Sequence, residues 1–153
     1  MEKKVGKAVN FNNLVAKFSQ KYENGVIKFK SSEKLRDTLN KEQKLLNYGI
    51  YYIKMKEKIV YIGKAGSFSS QKGIVGQALK GRLCNKQEGM KREDYFKKML
   101  KKSEANFLTI HWFVTWDAKE GCDLPAKIEA ELLQAFILDH INNQKLPDWN
   151  KLI

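Results

Sequence analysis

Two short runs of strand-forming residues constrain the fold of this chain more than any other feature. The stretch from residue 48 to residue 63 is rich in Tyr, Ile and Val on either side of the charged Lys56-Glu57-Lys58. β-branched and aromatic residues are enriched in strands, and a short charged connection between two such runs favours a hairpin. The sequence therefore predicts two adjacent antiparallel strands here.

The length of the hairpin loop decides where Tyr51 and Tyr61 point, because side chains alternate between the two faces of a sheet. A loop with an odd number of residues would make the tyrosines cross-strand neighbours, about 5 Å apart. A two-residue loop would place them on opposite faces. Lys-Glu-Lys lacks the Asn-Gly pair that two-residue loops favour, so we expect the odd register. Plain aromatic packing is the alternative to a functional role for this pair.

The rest of the pattern predicts helices and one further strand. Apolar spacing indicates an amphipathic region over residues 10 to 30 with a turn at Asn24-Gly25, a helix beginning at Ser31, a loop over 65 to 73, helices over 74 to 84, 91 to 102 and 125 to 141, and a strand over 107 to 116. Helices interleaved with three strands predict a single-domain α/β fold, but the pattern leaves the order of the strands open.

The charge of the chain points to a polyanionic partner. The 153 residues include 29 Lys and Arg against 17 Asp and Glu, a formal net charge of +12. Nucleic acid is the usual partner of so basic a protein, although a general surplus of lysine for solubility is the alternative.

Cys84 and Cys122 are too few for a zinc cluster or a disulfide framework. With no secretory signal and no apolar run of roughly 20 residues, we expect a cytoplasmic protein without a membrane partner.

One predicted helix carries a dense row of basic residues. Over residues 91 to 102 the apolar positions would face the core and the basic positions would face solvent. We expect these basic residues to bind nucleic acid, and they are Lys91, Arg92, Lys97, Lys98, Lys101 and Lys102.

Helical geometry separates two glutamates near the C-terminus. On a helix whose apolar face includes Ile128, Leu132 and Phe136, Glu129 falls about 40° from the centre of that face and Glu131 about 120° away. A carboxylate on the buried side needs a metal or a cationic partner, because its unpaired burial is costly. Glu129 is therefore a candidate metal ligand, with a structural salt bridge as the alternative, while Glu131 is expected to be solvated.

The triplets Gly49-Ile50-Tyr51 and Tyr61-Ile62-Gly63 resemble the paired signature of the GIY-YIG nuclease family. The resemblance extends in family order through Lys64, Arg82 within Leu79-Lys80-Gly81-Arg82-Leu83, Glu129 and the closing Pro147 and Asn150, and so covers about residues 48 to 150. It implies a small central three-stranded antiparallel sheet flanked by helices. Residues 48–153 would form the nuclease domain and residues 1–47 a basic helical extension of the same compact unit.

The resemblance also implies an activity, which is metal-dependent hydrolysis of DNA strands. The implied catalytic residues are Tyr51, Tyr61, Lys64, Arg82 and Glu129. Tyr61 is the preferred general base because Lys64 and Gly63 adjoin it, and Glu129 would bind Mg²⁺, with Mn²⁺ as a substitute. Gly49, Gly63 and Asn150 would have structural or substrate-binding roles. The sequence departs from many relatives in having Lys86 where they carry a histidine.

Residues 1–47 are too few for a separate recognition domain, which favours a restriction endonuclease that reads double-stranded DNA with the nuclease domain itself. A palindromic site would favour a homodimer. Two alternatives remain open at this point. One is a structure-specific or RNA-directed nuclease with the same chemistry. The other is a non-catalytic basic module in which Trp112 or Trp116 stacks on bases.

Overall fold

A five-stranded antiparallel sheet organises the fold in the computed structural model, which describes residues 10–117, 119–141 and 145–150. The main sheet has the strand order β1-β8-β2-β3, and β9 pairs with the C-terminal end of β8. In chain order the strands are β1 (Glu23–Lys30), β2 (Tyr48–Met55), β3 (Lys58–Ala65), β4 (Ser67–Ser69), β5 (Gly73–Val75), β6 (Lys86–Gln87), β7 (Met90–Lys91), β8 (Phe107–Asp117) and β9 (Gly121–Cys122).

Five α-helices and one 3₁₀ turn over Gln43–Leu46 surround this sheet in the described residues, so the predicted mixed α/β class is confirmed. The expected three-stranded sheet is too small, because β1 pairs along the free edge of β8 and β9 adds a short fifth strand. The helices are α1 (Phe11–Lys21), α2 (Leu35–Asn40), α3 (Leu79–Leu83), α4 (Arg92–Lys102) and α5 (Pro125–Asp139).

The segment from residue 10 to residue 30 changes from helix to strand. The helical spacing that begins at Phe11 ends with α1, and the alternating burial of Ile27 and Phe29 then belongs to β1. The turn expected at Asn24-Gly25 is wrong, since both residues lie within β1 opposite β8. Gly25 is needed there because an added Cβ would approach the Trp112 ring to 2.6 Å. The N-terminal extension is therefore not purely helical.

The hairpin of β2 and β3 has a two-residue turn, contrary to the expected odd loop. Lys56 and Glu57 form this turn with φ angles of 51° and 63°. Two consecutive left-handed residues are the conformation of a type I′ turn, whose twist matches the flanking strands. Asn-Gly is the common solution for this turn, but the pairing of two long strands imposes it here on Lys-Glu.

A β-bulge brings the two tyrosines to the same face of the sheet. Next to the turn Lys54 pairs with Ile59, a register that would separate Tyr51 from Tyr61. The pairing shifts between Ile53 and Lys54, so that further along the hairpin Ile53 lies opposite Tyr61. One extra residue in one strand reverses which side chains share a face. The tyrosines therefore share a face as diagonal neighbours rather than as a directly opposed pair.

Two apolar clusters lie on opposite faces of the sheet. Tyr51 and Ile53 point to the face that α2, α3 and α4 cover, which we call the α4 face. Ile50 and Tyr52 point to the face that α1 and α5 cover, which we call the α5 face. Each large side chain buried in these clusters contributes about 1.5–3 kcal/mol relative to an exposed position. Because residues 10–47 contribute α1, β1 and α2, the described part of the N-terminal extension packs into both clusters.

The predicted helices differ in how well their bounds agree with the structure. The helices expected over residues 91 to 102 and 125 to 141 are confirmed as α4 and α5, and Pro125 begins α5 as a first-turn proline should. The helix expected from residue 74 is shorter, because Ile74 and Val75 pair in a β-ribbon and Gly76 breaks the chain with a φ of +96°. That ribbon, β4 with β5, occupies most of the segment expected to be a loop.

None of the helices among the described residues is both long enough and apolar enough to cross a bilayer.

Candidate active site

Tyr51 and Tyr61 lie against each other on the α4 face of the hairpin. Their ring centroids are 5.8 Å apart with an angle of 30° between the ring planes. Gly63 sits opposite Tyr51 in the sheet, and an added Cβ on it would lie 2.7 Å from the Tyr51 Oη and 2.7 Å from Tyr61 Cε2. The glycine of the second triplet therefore leaves the space that the two phenols occupy.

Gly49, the glycine of the first triplet, has a different neighbour. An added Cβ there would lie 1.9 Å from the backbone oxygen of Phe113 on β8. Gly49 thus allows β2 to pair closely with β8 next to a register shift. Its role in this geometry is to seat the strand that carries Tyr51.

Arg92 holds the tyrosine pair from the side of α4. Its Nη1 donates a hydrogen bond of 2.6 Å to the Tyr51 Oη and a longer one of 3.3 Å to the carbonyl of Arg82. The guanidinium carbon lies 5.8 Å from the centroid of the Tyr51 ring and 5.2 Å from that of Tyr61. Both distances are within the range of a cation–π interaction.

The expectation that Arg92 faces solvent and binds nucleic acid is therefore wrong. Only 3% of Arg92 is exposed, because it lies on the side of α4 that also buries Tyr95 and Phe96. Spacing by three and four residues places all three on one helical face. The other basic residues of this row remain at the surface: Lys91, Lys98, Lys101 and Lys102 are exposed, and the partly buried Lys97 pairs with Glu93.

The two tyrosines differ in their access to solvent. Tyr51 is completely buried, and burial raises the pKa of its hydroxyl to about 12 although the charge of Arg92 acts in the opposite direction. Tyr61 is partly exposed. A general base must reach the proton that it removes. Only Tyr61 of this pair can contact a water molecule at the surface.

Lys64 leaves β3 on the other face of the sheet from the tyrosines. In the hairpin register Ile50 lies opposite Lys64 and Tyr51 opposite Gly63, so Lys64 belongs to the α5 face. Its Nζ donates to the Ser67 hydroxyl at 3.3 Å. The cation that contacts the phenols is therefore Arg92 rather than Lys64, which corrects the expected support of Tyr61 by its near neighbour in the chain.

Glu129 lies on α5 within the influence of two cations. Burial raises the pKa of its carboxyl group, and the charges of Lys64 and Arg82 oppose that shift. The side chain is partly buried, but Glu131 is partly buried as well, so the expectation that Glu131 is solvated is wrong and burial does not separate the two glutamates.

The charge of Arg82 acts on groups that lie on both faces of the sheet. Arg82 is exposed on α3, and its charge acts both on the Tyr51 hydroxyl and on the Glu129 carboxyl group. The predicted catalytic side chains are thus brought together around the β3 edge of the sheet, with the tyrosines on one face and Lys64 with Glu129 on the other.

Asn150 fastens the C-terminal segment to the same edge strand. Its side-chain oxygen accepts from the amide of Ile62 at 3.0 Å, and its side-chain nitrogen donates to the carbonyl of Ile62 at 2.9 Å. The amide of Trp149 donates to the carbonyl of Val60 at 2.8 Å. These bonds satisfy edge groups of β3 on either side of Tyr61.

The single carboxylate of Glu129 suits a hard divalent cation such as Mg²⁺. Among the described residues no group of three or more His, Cys, Asp or Glu side chains could hold an ion. Mg²⁺ is commonly bound through one or two carboxylates, with water and substrate phosphate oxygens completing the octahedron. Glu129 fits that arrangement, whereas a zinc site built from protein ligands does not.

Comparison of the chain with models of known protein families, with curated proteins and with solved structures finds no match in any of the three.

A groove of about 820 Å³ lies between the hairpin turn and the C-terminal half of α4. Lys56 and Lys58 line it from the hairpin, and Lys98 and Lys102 line it from α4. Lys58 also pairs with Asp148 at 2.6 Å. The groove therefore has two lysine-lined walls.

The buried tryptophan on β8 excludes one predicted role. Only 3% of Trp112 is exposed, and it belongs to the core of the α4 face. Stacking of bases on Trp112 is not available in this fold, whereas Trp116, the other tryptophan named for the binding-module alternative, is partly exposed.

Sequence reasoning overlooked Arg92 as a member of the site. A signal for it exists, because Arg92, Tyr95, Phe96 and Leu100 follow the helical spacing of a buried face. Assigning every basic residue of the segment to solvent ignored that position.

Proposed function

We propose that this chain is a metal-dependent DNA endonuclease of the GIY-YIG type, acting as a site-specific restriction enzyme on double-stranded DNA. The observation that carries the proposal is that the charge of Arg82 acts both on Tyr51, one member of the tyrosine pair, and on the Glu129 carboxylate on the other face of the sheet. Phosphodiester hydrolysis needs a base for water, positive charge for the developing phosphorane and a metal ligand, and these groups supply each of them.

Tyr61 is the general base in this proposal. Its partly exposed oxygen accepts a proton from the attacking water while the new P–O bond forms and the bond to the leaving oxygen breaks. The leaving oxygen then takes a proton from solvent. Tyr51 is buried and bonded to Arg92, so it orients its neighbour instead of reacting.

Arg82 and Lys64 act on the phosphate. The planar guanidinium of Arg82 can donate two parallel hydrogen bonds to phosphate oxygens, which makes it the better partner for the charge of the transition state. Lys64 supplies a second positive charge on the far side of β3, next to Glu129.

Glu129 holds the metal in this proposal. Mg²⁺, or Mn²⁺ in its place, would neutralise charge on the phosphate oxygens when bound. Phosphate and water complete the ligand set, so we expect weak metal binding without DNA and tighter binding with it.

The positive surface around α4 supports a nucleic-acid substrate. Four lysines line the groove between the hairpin turn and α4, and with the exposed lysines of α4 they offer positive charge to a phosphate backbone. Contacts of this kind position DNA without reading its sequence. A palindromic recognition site would be read by a homodimer.

The decisive experiment is cleavage of plasmid DNA with Mg²⁺ by the parental chain and by Glu129→Ala and Arg82→Ala. Both variants should lose cleavage while they retain the fold and most of the affinity for DNA. Glu131→Ala, two residues further along α5, is the matched control and should cut at the parental rate. Chelation of the metal should stop the parental enzyme. Parental rates in both site variants would refute the assignment.

The substrate class needs a separate test. Incubation with a long unmethylated DNA should produce discrete bands if cutting is site-specific, whereas a smear would indicate a nonspecific nuclease. An intact substrate would favour a binding protein without catalysis. Comparison of duplex DNA, branched DNA and RNA then separates a restriction enzyme from a structure-specific or RNA-directed nuclease.

A further inference from the structure

Arg92 occupies a position that three physical rules disfavour. It is a buried cation with 3% of its surface exposed, and taking a charge out of water costs several kcal/mol. It is the first residue of α4, where the partial positive charge of a helix repels a cation. Within the described part of the chain its Nε is buried without a hydrogen-bond partner. Residues that break local rules in this way are expected at functional positions.

The groups around the guanidinium show what it holds. Nη1 donates to the Tyr51 hydroxyl and to the Arg82 carbonyl, and the guanidinium plane lies near both tyrosine rings. Burial lowers the pKa of Arg92, but Tyr51 and Tyr61 raise it by more, so the cation is retained. One side chain thus links the two phenols to the backbone of the residue that is proposed to bind phosphate.

We propose that Arg92 is a positioning residue that holds Tyr51 and Tyr61 as one unit and stabilises negative charge on the Tyr61 oxygen. The inference rests on the proposed nuclease activity. Tyr61 gives its phenolic proton to solvent before the reaction, and the guanidinium balances the resulting charge. The oxygen regains a proton from the attacking water as the phosphodiester opens. Arg92 itself contacts neither water nor phosphate in this scheme.

The first test is the pH dependence of single-turnover DNA cleavage in Arg92→Met and Arg92→Lys. In Arg92→Met the rate should reach its plateau at a pH about one to two units higher than in the parent, because an adjacent opposite charge shifts a titration by that amount. Arg92→Lys keeps the charge without the planar fork and should restore part of that shift. Arg36→Met, which removes an exposed arginine from α2, is the matched control and should leave the profile unchanged.

A second variant guards against misfolding, since Arg92→Met leaves the Tyr51 hydroxyl without its partner. The double variant Tyr51→Phe with Arg92→Met removes both groups, which costs less stability than leaving one unpaired. Near-ultraviolet circular dichroism should confirm its fold. It should still show the displaced pH profile. A folded Arg92 variant with the parental profile and only a changed KM would overturn the proposal.

Titration of tyrosine absorbance gives a readout that needs no cleavage. The component that disappears in Tyr61→Phe should move to higher pH in Arg92→Met. Suppose that the parent does not cleave DNA, but that the absorbance component of Tyr61 still moves to higher pH in Arg92→Met. The nuclease proposal then fails, while the coupling between Arg92 and the tyrosines stands. If the component does not move, Arg92 has a structural role only and the inference fails.

Discussion

Tyr51 and Tyr52 are consecutive residues and both are buried, yet they lie on opposite faces of the sheet in different surroundings. Burial raises the pKa of each hydroxyl to about 12. On the α5 face Tyr52 packs against Phe11 and stacks on His111 at 4.4 Å. On the α4 face Tyr51 receives a hydrogen bond from a buried guanidinium and contacts a second tyrosine. The two tyrosines are therefore similarly buried, and only the groups around each hydroxyl distinguish them.

The difference teaches that burial alone does not identify a functional tyrosine in this fold. The α5 face contributes apolar packing together with a neutral histidine, and it presents the back of the hairpin to α1 and α5. The α4 face contributes packing as well, but it also retains a cation at the edge of the core. Four experiments can break or sharpen this comparison.

The largest effect is expected from removing one hydroxyl on the α4 face. Tyr61→Phe should lower the single-turnover rate of cleavage by roughly 10²- to 10⁴-fold, the usual contribution of a general base. Tyr52→Phe is the matched change on the α5 face and should leave the rate within a factor of about two, because a surface or packing change seldom reaches chemistry. Equal losses in both variants would show that the two faces do not differ in function.

A smaller loss should follow from filling the space between the tyrosines. Gly63→Ala introduces a Cβ at 2.7 Å from Tyr51 and should reduce the free energy of unfolding by about 2 kcal/mol through overpacking. Denaturant unfolding measures this value. Gly81→Ala on α3 is the control, since its nearest atom is the Cβ of Gln77 at 3.2 Å and alanine is the better helix former, so a gain of up to about 1 kcal/mol instead of a loss is expected. An unchanged stability in Gly63→Ala would mean that the phenols do not need this gap.

The α5 face should produce its own pH dependence, in stability rather than in catalysis. Burial, with a smaller contribution from the charge of Lys54, lowers the pKa of His111 from 6.5 to about 4. The folded state therefore binds fewer protons than the unfolded state between these values. The resulting stabilisation is present above pH 6.5 and is lost as the pH falls towards 4, by up to about 3 kcal/mol.

Thermal unfolding of the parent and of His111→Gln across this range measures that dependence. The variant cannot titrate at this position and should show a flatter profile between pH 4 and pH 6.5. The same slope in both proteins would assign the effect to other groups. Arg92 lies on the α4 face, so the pH profile of DNA cleavage should not change in His111→Gln.

The smallest effect is expected from removing the hydrogen bonds between Asn150 and the edge strand β3. Asn150→Ala removes both hydrogen bonds to Ile62 and should cost about 1–2 kcal/mol. The amide of Ile62 should then exchange its hydrogen faster. Asn150→Asp keeps the acceptor but not the donor, so it should protect that amide better than alanine does. Unchanged exchange in both variants would show that the C-terminal segment does not secure β3.

Much of the fold could be predicted, since the hairpin, β8, α4 and α5 follow from β-propensity and from helical periodicity over long segments. β1 was missed because the helical spacing that begins at Phe11 hid the change of period near residue 22. The pairing of β1 with β8 joins segments more than 75 residues apart, and no local pattern encodes such a contact. The two-residue turn at Lys56 and Glu57 was missed because strand pairing outweighs the local preference of the turn residues.

The candidate site was predictable only in part. Tyr61 and Arg82 could be named only through the resemblance to the family signature, whereas Glu129 was also indicated by its position near the apolar face of a helix. The expected support of Tyr61 by Lys64 was wrong, and so was the expected exposure of Arg92 to solvent. Both depend on which face a side chain takes, and a one-residue shift in a strand reverses that face.

The amino-acid sequence by itself determined the paired tyrosines, the two glycines beside them, the excess of positive charge and the helical face on which Glu129 lies. These properties are local, because side-chain chemistry and the periods of helix and strand require no distant contact. Only the tertiary structure decided that a β-bulge returns both tyrosines to one face and that Arg92 from α4 closes over them. Those outcomes depend on packing between segments far apart in the chain, where the energy of many contacts outweighs any single local preference.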